Sequence, residues 1–327
     1  MKITPSQFEL SFTEQLRRSV PTNAQVRLGI GDDAAILDTQ RSDTVLTVDL
    51  LTESVDFLLD EVEPQLIGRK ALAVNLSDLA AMAAQPIAVL VAVALPKDQA
   101  GVLAPQLLEG MMPLLHKYNV ALIGGDTNTW DGGLVISVTA IGHVTEHGPL
   151  KRSGAKPGDR ILVTGTLGGS ILRHQFLFEP RVNEALYLNE HYRVNAAIDI
   201  SDGLSLDLSR LAAESRVGAV IDTHHVPIAD DAKELAAQQV DMPHAKSPLE
   251  HALYDGEDFE LLLAVSPDEA ERLLAAQPLM PTFGVPLTDI GEFVTESGQW
   301  LRDQNGVWQK ITPNGFVHES KSSTAKW

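Results

Sequence analysis

The sequence contains no cysteine. Disulfides, thiolate metal sites and cysteine nucleophiles are therefore excluded, and the absence fits a reducing cytosol. Long apolar runs are missing too: the longest nearly unbroken one, Ile87 to Leu95, is far shorter than the ~20 residues of a membrane-spanning helix. Met1 to Phe12 has no basic segment followed by an apolar one, so a cytoplasmic location without membrane association is expected. Positive charge is scarce. With 25 Lys and Arg against 44 Asp and Glu, the formal net charge is −19, which argues against nucleic-acid binding through phosphate contacts. The motifs Gly-x-x-x-x-Gly-Lys-Ser/Thr, Gly-x-Gly-x-x-Gly, His-Glu-x-x-His and Gly-x-Ser-x-Gly are absent, so the nucleotide, dinucleotide, zinc and serine-hydrolase readings that they carry lack support. The adjacent His224 and His225 lack metal-ligand spacing.

What remains is a chain of 327 residues, 44% hydrophobic, long enough for one large or two medium domains. Strand-like runs at Thr44–Val48, Ile87–Leu95, Val120–Ile123, Leu134–Val144, Arg160–Thr164, Ala196–Ile200 and Phe259–Val265 alternate with helical patterns, which predicts an α/β (α+β) protein. Turn chemistry from His147 to Asp159 marks a boundary, dividing the chain into residues 1–148 and 149–327.

The excess of acid has two readings, solubility or cation ligation, and only the positions of the carboxylates can choose. Pro64 to Gln85 predicts a helix that opens on proline and ends before Pro86, with an apolar stripe through Ile67, Ala71, Val74 and Met82. Asp78 lies about 20° around that helix from Ile67, close to the stripe, where a carboxylate needs a partner. Asp32 and Asp33 follow glycines; Asp49 ends the run Thr47-Val48-Asp49; Asp126 follows Gly124-Gly125 after an apolar strand. In the second half, Ser201 reads as a helix N-cap and Asp202 as a first-turn acid, while Asp199 inside an apolar strand has no such explanation. Glu257 and Asp258 precede a further strand. Each position alone is also compatible with an ordinary turn or cap. Together, acids at the ends of six apolar elements suggest a site for several magnesium ions, which take oxygen ligands and share them with substrate phosphates.

The segments Gly29–Ala34, Thr47–Asp49, Lys70–Met82, Ile123–Thr127, Arg152–Asp159, Val163–Gly165, Ile198–Leu204 and Gly256–Leu261, in that order, resemble the thiamine-monophosphate kinases of the aminoimidazole-ribonucleotide-synthetase-like superfamily. The resemblance implies a two-domain fold whose N-terminal domain binds magnesium and ATP and pairs its sheet across a homodimer, with a C-terminal α/β domain. It implies ATP as donor, thiamine monophosphate as acceptor and thiamine diphosphate as product. Carried over, the magnesium ligands are Asp33, Thr47, Val48 through its carbonyl, Asp49, Asp78, Asp126, Asp199 and Asp202. The nucleotide contacts are Gly125, Asp126, Arg152 and Ser201, and the thiamine end involves Asp56, Glu257 and Phe316. Asp56 stands where the family usually has histidine, and the stretch from Gly165 to His174 reads as a deletion. The acceptor phosphate ionises a second time near pH ~6, so no general base is expected. The alternatives are an ATP-dependent ligase or cyclase of the same superfamily, a selenophosphate synthetase, a hydrogenase maturation factor and a nucleotide-binding scaffold. The absent cysteine speaks against the second and third.

Overall fold

The computed structural model describes residues 16, 18–28, 36–39 and 43–317, which divide into two units. The first comprises the described residues up to Lys151 together with Gln175–Arg193. It contains β1 (Val26–Leu28), β2 (Ile36–Leu37), β3 (Thr44–Thr52), α1 (Pro64–Ala81), β4 (Ala84–Pro96), α2 (Ala100–Lys117), β5 (Ala121–Trp130) and β6 (Val135–Val144). Its main sheet runs β3-β6-β4-β5, antiparallel except for the parallel β4–β5 pair.

α1 begins at the predicted proline but stops at Ala81, short of Gln85. Met82 caps it, Ala83 takes a left-handed φ of 48°, and Ala84 already pairs with Val144, so the chain enters β4 without a loop. Burial extends almost all the way round α1: Ile67, Ala71, Leu72, Leu76 and Leu79 are fully enclosed, each large aliphatic side chain contributing about 2 kcal/mol. β3 alternates instead. Thr47, Asp49 and Leu51 lie on the side turned to α1, while Leu46, Val48 and Leu50 on the other side are 60–65% exposed.

α3 (His174–Leu177) straddles the division, and from Gln175 through α4 (Val182–His191) the chain returns to the first unit. The return is anchored by polar contacts: Lys70 Nζ donates to Gln175 Oε1 (2.8 Å), Arg69 pairs with Glu179 (2.9 Å), and Tyr118 donates to the Pro180 carbonyl (2.8 Å).

The second unit holds Arg152–His174 and Val194 onward. Its strands are β7 (Arg160–Thr164), β8 (Val194–Asp199), β9 (Gly218–Asp222), β10 (Leu261–Val265), β11 (Leu287–Val294), β12 (Gln299–Arg302) and β13 (Trp308–Ile311), in the sheet order β13-β12-β9-β11-β7-β10-β8. The helices are α5 (Leu204–Ser215), α6 (Asp230–Gln238), α7 (Pro248–Tyr254), α8 (Pro267–Ala276) and the single turn α9 (Met280–Phe283). Leu204, Leu208 and Leu211 of α5 are fully buried, as their spacing predicts. Both units are thus mixed α/β. β10 starts two residues later than the predicted run because Phe259 has a left-handed φ of 50°.

Candidate functional site

In the first unit, α1 and β3 bring Thr47 and Asp78 together, the Thr47 hydroxyl donating to Asp78 Oδ2. Asp49, two residues on, points to the same side. Asp126 is elsewhere. It lies on β5, three strands from β3 and so about 14 Å across the sheet. The register puts it in the row Leu50–Ser137–Ala92–Asp126, on the exposed apolar side, while Asp49 shares the row of Val138, Val91 and Gly125. Asp56 turns back on its own chain: Oδ2 accepts the Thr52 N–H (2.7 Å), and its carbonyl accepts from the buried Lys70 Nζ (3.1 Å). Asp56 therefore closes the turn after β3. Asp33 lies outside the described residues.

The second unit gathers its candidates through backbone bonds. Glu257 N–H donates to the Ser201 carbonyl (2.7 Å), Phe259 N–H to Ile200 (2.7 Å), and Phe316 N–H to Asp202 (2.9 Å). At Gly315 any β-carbon would stand 2.3 Å from the Asp202 carbonyl, so only glycine lets Phe316 approach the turn this closely. Asp199, at the end of β8, is buried and pairs in register with Leu261. Glu257 itself has a left-handed φ of 72°. Arg152 is not part of this group: its carbonyl accepts from Ser215 at the far end of α5, which is about 18 Å long.

Ser201 is not the N-cap of α5; that residue is Gly203, and the amides that precede it are held by a side chain from within the helix. Asp207 Oδ2 accepts the N–H groups of Ser201 (3.0 Å) and Asp202 (2.8 Å). Arg210 Nη1 donates to Asp207 Oδ1 (2.6 Å) and to Asp202 Oδ2 (2.5 Å). Burial pushes the Asp207 carboxyl up to about 6, against the pull of the Asp202 N–H and Arg210. Motif reading missed Asp207 and Arg210, although an acid on the apolar face of a helix, one residue before Leu208, was a legible signal. Asp258 is completely buried, accepting from Gly168 N–H (2.9 Å) and Ser170 Oγ (2.5 Å), and burial raises its pKa well above the usual carboxylate range.

Among the described residues, no three His, Cys, Asp or Glu side chains converge in a way that could hold a metal ion by themselves. The available donors are hydroxyl, carboxylate and carbonyl oxygens in ones and twos. That set fits magnesium, which keeps several waters and completes its shell with substrate phosphate rather than a protein cage. No helix among the described residues is long and apolar enough to cross a membrane.

Residues 31–144 match the model of the AIR synthase related protein N-terminal domain, and residues 156–301 that of the corresponding C-terminal domain. The thiamine-monophosphate kinase of Rhodopirellula baltica is 42% identical over 318 residues, covering 95% of this chain and 97% of that protein. Among solved structures, the thiamine-monophosphate kinase of Stenotrophomonas maltophilia K279a has a TM-score of 0.76 at 32% identity, covering 90% of this chain and 95% of that one. AaThiL complexed with AMPPCP and TMP has a TM-score of 0.73 at 25% identity, covering 98% and 99%.

Proposed function

The chain belongs to the AIR synthase related family and, within it, to the thiamine-monophosphate kinases, and from that premise we propose that it transfers the γ-phosphoryl group of ATP to thiamine monophosphate, giving ADP and thiamine diphosphate. Identity that runs through both units, 42% over 95% of the chain, carries this reading.

In the first unit, Thr47, Asp49, Asp78, Asp126 and the Val48 carbonyl, with Asp33 before them, would hold magnesium; in the second, Asp199 and Asp202 would do so. Bound magnesium supplies charge neutralisation between a polyanionic donor and an anionic acceptor in an acidic protein. Gly125, Asp126, Arg152 and Ser201 face the nucleotide in this reading, Arg152 adding a fixed positive charge. Asp56, Glu257 and Phe316 take the acceptor. The acceptor phosphate attacks as its dianion, in line, and no residue is needed to remove a proton.

The exposed side of β3 supports a homodimer. Leu46, Val48 and Leu50 form an apolar stripe on an edge strand, which a monomer would leave in water. Asp126 lies at the opposite edge of the sheet from β3, so pairing of two copies with β3 of one beside β5 of the other would bring Asp126 within a strand's width of Asp49, although the two side chains leave opposite faces. A cytoplasmic location follows from the function, since its donor is ATP.

The test is phosphoryl transfer from ATP to thiamine monophosphate with and without magnesium, with thiamine and aminoimidazole precursors as other acceptors. Magnesium-dependent thiamine diphosphate is expected. ATP binding without product from any thiamine acceptor would overturn the reading.

A further inference from the structure

We propose that Arg210 is a resident counter-ion of the second unit's metal position: it holds the Asp202 carboxylate until a divalent ion arrives, and must give that carboxylate up for the ion to bind. The inference rests on reading Asp202 as a metal ligand and adds a residue that competes for it.

One nitrogen, Arg210 Nη1, donates to Asp202 Oδ2 at 2.5 Å and to Asp207 Oδ1 at 2.6 Å. The two acids are not equivalent. Asp207 is enclosed, its side chain 1% exposed, and its second oxygen is committed to the N–H groups of Ser201 and Asp202. It cannot leave without opening the turn. Asp202 and Arg210 are the accessible members, with side chains 28% and 37% exposed. Rotation of the Asp202 side chain therefore breaks only the contact to Arg210, while its main chain stays fastened to Asp207 through the 2.8 Å bond.

Arginine suits this exchange. Its fork of five N–H donors can keep one carboxylate while releasing another, and its charge never titrates away. After release, Arg210 remains paired with Asp207, so no buried carboxylate is stranded. Asp202 and Asp207 are the charges that act most strongly on Arg210, so the three residues form one local balance. A cation with two positive charges takes the place of one with a single charge at Asp202, so the exchange favours the metal but is weakened by what the ion pair was worth. For a partly exposed pair that amounts to about threefold to fivefold in metal affinity.

The experiment uses the full chain without nucleotide and manganese as an EPR-visible stand-in for magnesium, titrating wild type, Arg210→Gln, Arg210→Lys, Asp202→Asn and Lys233→Gln. Lys233 is a 58% exposed cation on α6 paired with Asp230, so its loss removes the same charge elsewhere. Arg210→Gln should tighten manganese binding about threefold to fivefold. Arg210→Lys, which keeps the charge, and Lys233→Gln should leave it within about twofold, and Asp202→Asn should lose that class of bound ion. Equal or weaker binding in Arg210→Gln, with the class still lost in Asp202→Asn, would overturn the competition. Unchanged binding in Asp202→Asn would remove Asp202 from the ligands and the proposal with it, while leaving the phosphoryl-transfer reading to its own assay.

Discussion

In the second unit, Ser201, Asp202, Glu257 and Phe316 lie on three chain segments that hydrogen-bond to one another through their backbones. In the first unit, Asp49 and Asp126 stand at opposite edges of one sheet and share no contact. Backbone bonds between turns fix side-chain origins before any ligand arrives, and the ordering cost is met during folding. A sheet with acids at its two edges fixes only their separation. The first arrangement is finished within one chain, whereas the second gains its full meaning when another chain is placed beside it.

The sharpest way to break this comparison is to put the two edge acids on different chains. Asp49→Asn and Asp126→Asn should each lower turnover by on the order of a hundredfold, as losing one group that stabilises developing charge does. If each site takes Asp49 from one copy and Asp126 from the other, dissociating and mixing the two inactive variants should restore about a quarter of wild-type activity: half of the dimers are mixed, and one of their two sites is intact. Sites contained within one chain would stay silent in the mixture. Activity of mixed samples at several mixing ratios distinguishes the two.

Next in size is the strand that carries Asp126. At Gly125 an added β-carbon would stand 1.8 Å from the Val91 carbonyl oxygen, in the strand beside it. Backbone cannot yield as a side chain can, so Gly125→Ala should push β5 from β4 at a cost of about 2 kcal/mol. Urea unfolding would measure that cost, and turnover should fall with it. Unchanged stability would mean that β5 shifts freely and that the edge position of Asp126 is not fixed.

A smaller effect is expected at the exposed stripe itself. Val48→Glu alters a side chain that is 61% exposed, so the isolated chain should fold normally. If this side is the contact between copies, a buried like charge on both should weaken association by about tenfold or more. Light scattering across a dilution series would show it, and unchanged association would place the contact elsewhere.

These contrasts also explain how far the sequence could be read. β-branched runs at Thr44–Val48 and Arg160–Thr164 announced their strands because the signal is local. β11 is interrupted by Asp289, Gly291 and Glu292, and β13 is an exposed edge, so neither carries a clear period. The burial around Asp78 was legible from helix geometry. That Glu257 sits against Ser201 depends on pairing between residues 56 positions apart, and that Asp126 lies far from Asp49 depends on strand order. Neither is a property of any short segment. Arg210 escaped for a different reason: it lies only three residues from Asp207 and eight from Asp202, but its contact to Asp202 depends on how the turn before the helix folds back.

The least change in stability near pH 4, and the most specific pH dependence above it, is expected from Asp258. This carboxyl secures the Gly168–Ser170 turn beside the left-handed Glu257 and Phe259, and burial holds its folded pKa well above the ordinary 3.8. A proton bound more tightly in the folded chain than in the unfolded one stabilises the fold fully below that ordinary value. The stabilisation is lost as pH rises from about 4 through the raised folded pKa. Asp258→Asn keeps an oxygen to accept from Gly168 and Ser170 and cannot ionise. Its stability near pH 4 should match wild type within about 1 kcal/mol, and its advantage over wild type should grow as pH increases. Parallel curves for the two proteins from pH 4 to 8 would mean that Asp258 ionises as an exposed carboxylate does, and that the turn beside Glu257 is open to water. The preassembled character assigned to the second unit would then fail at its most buried acid.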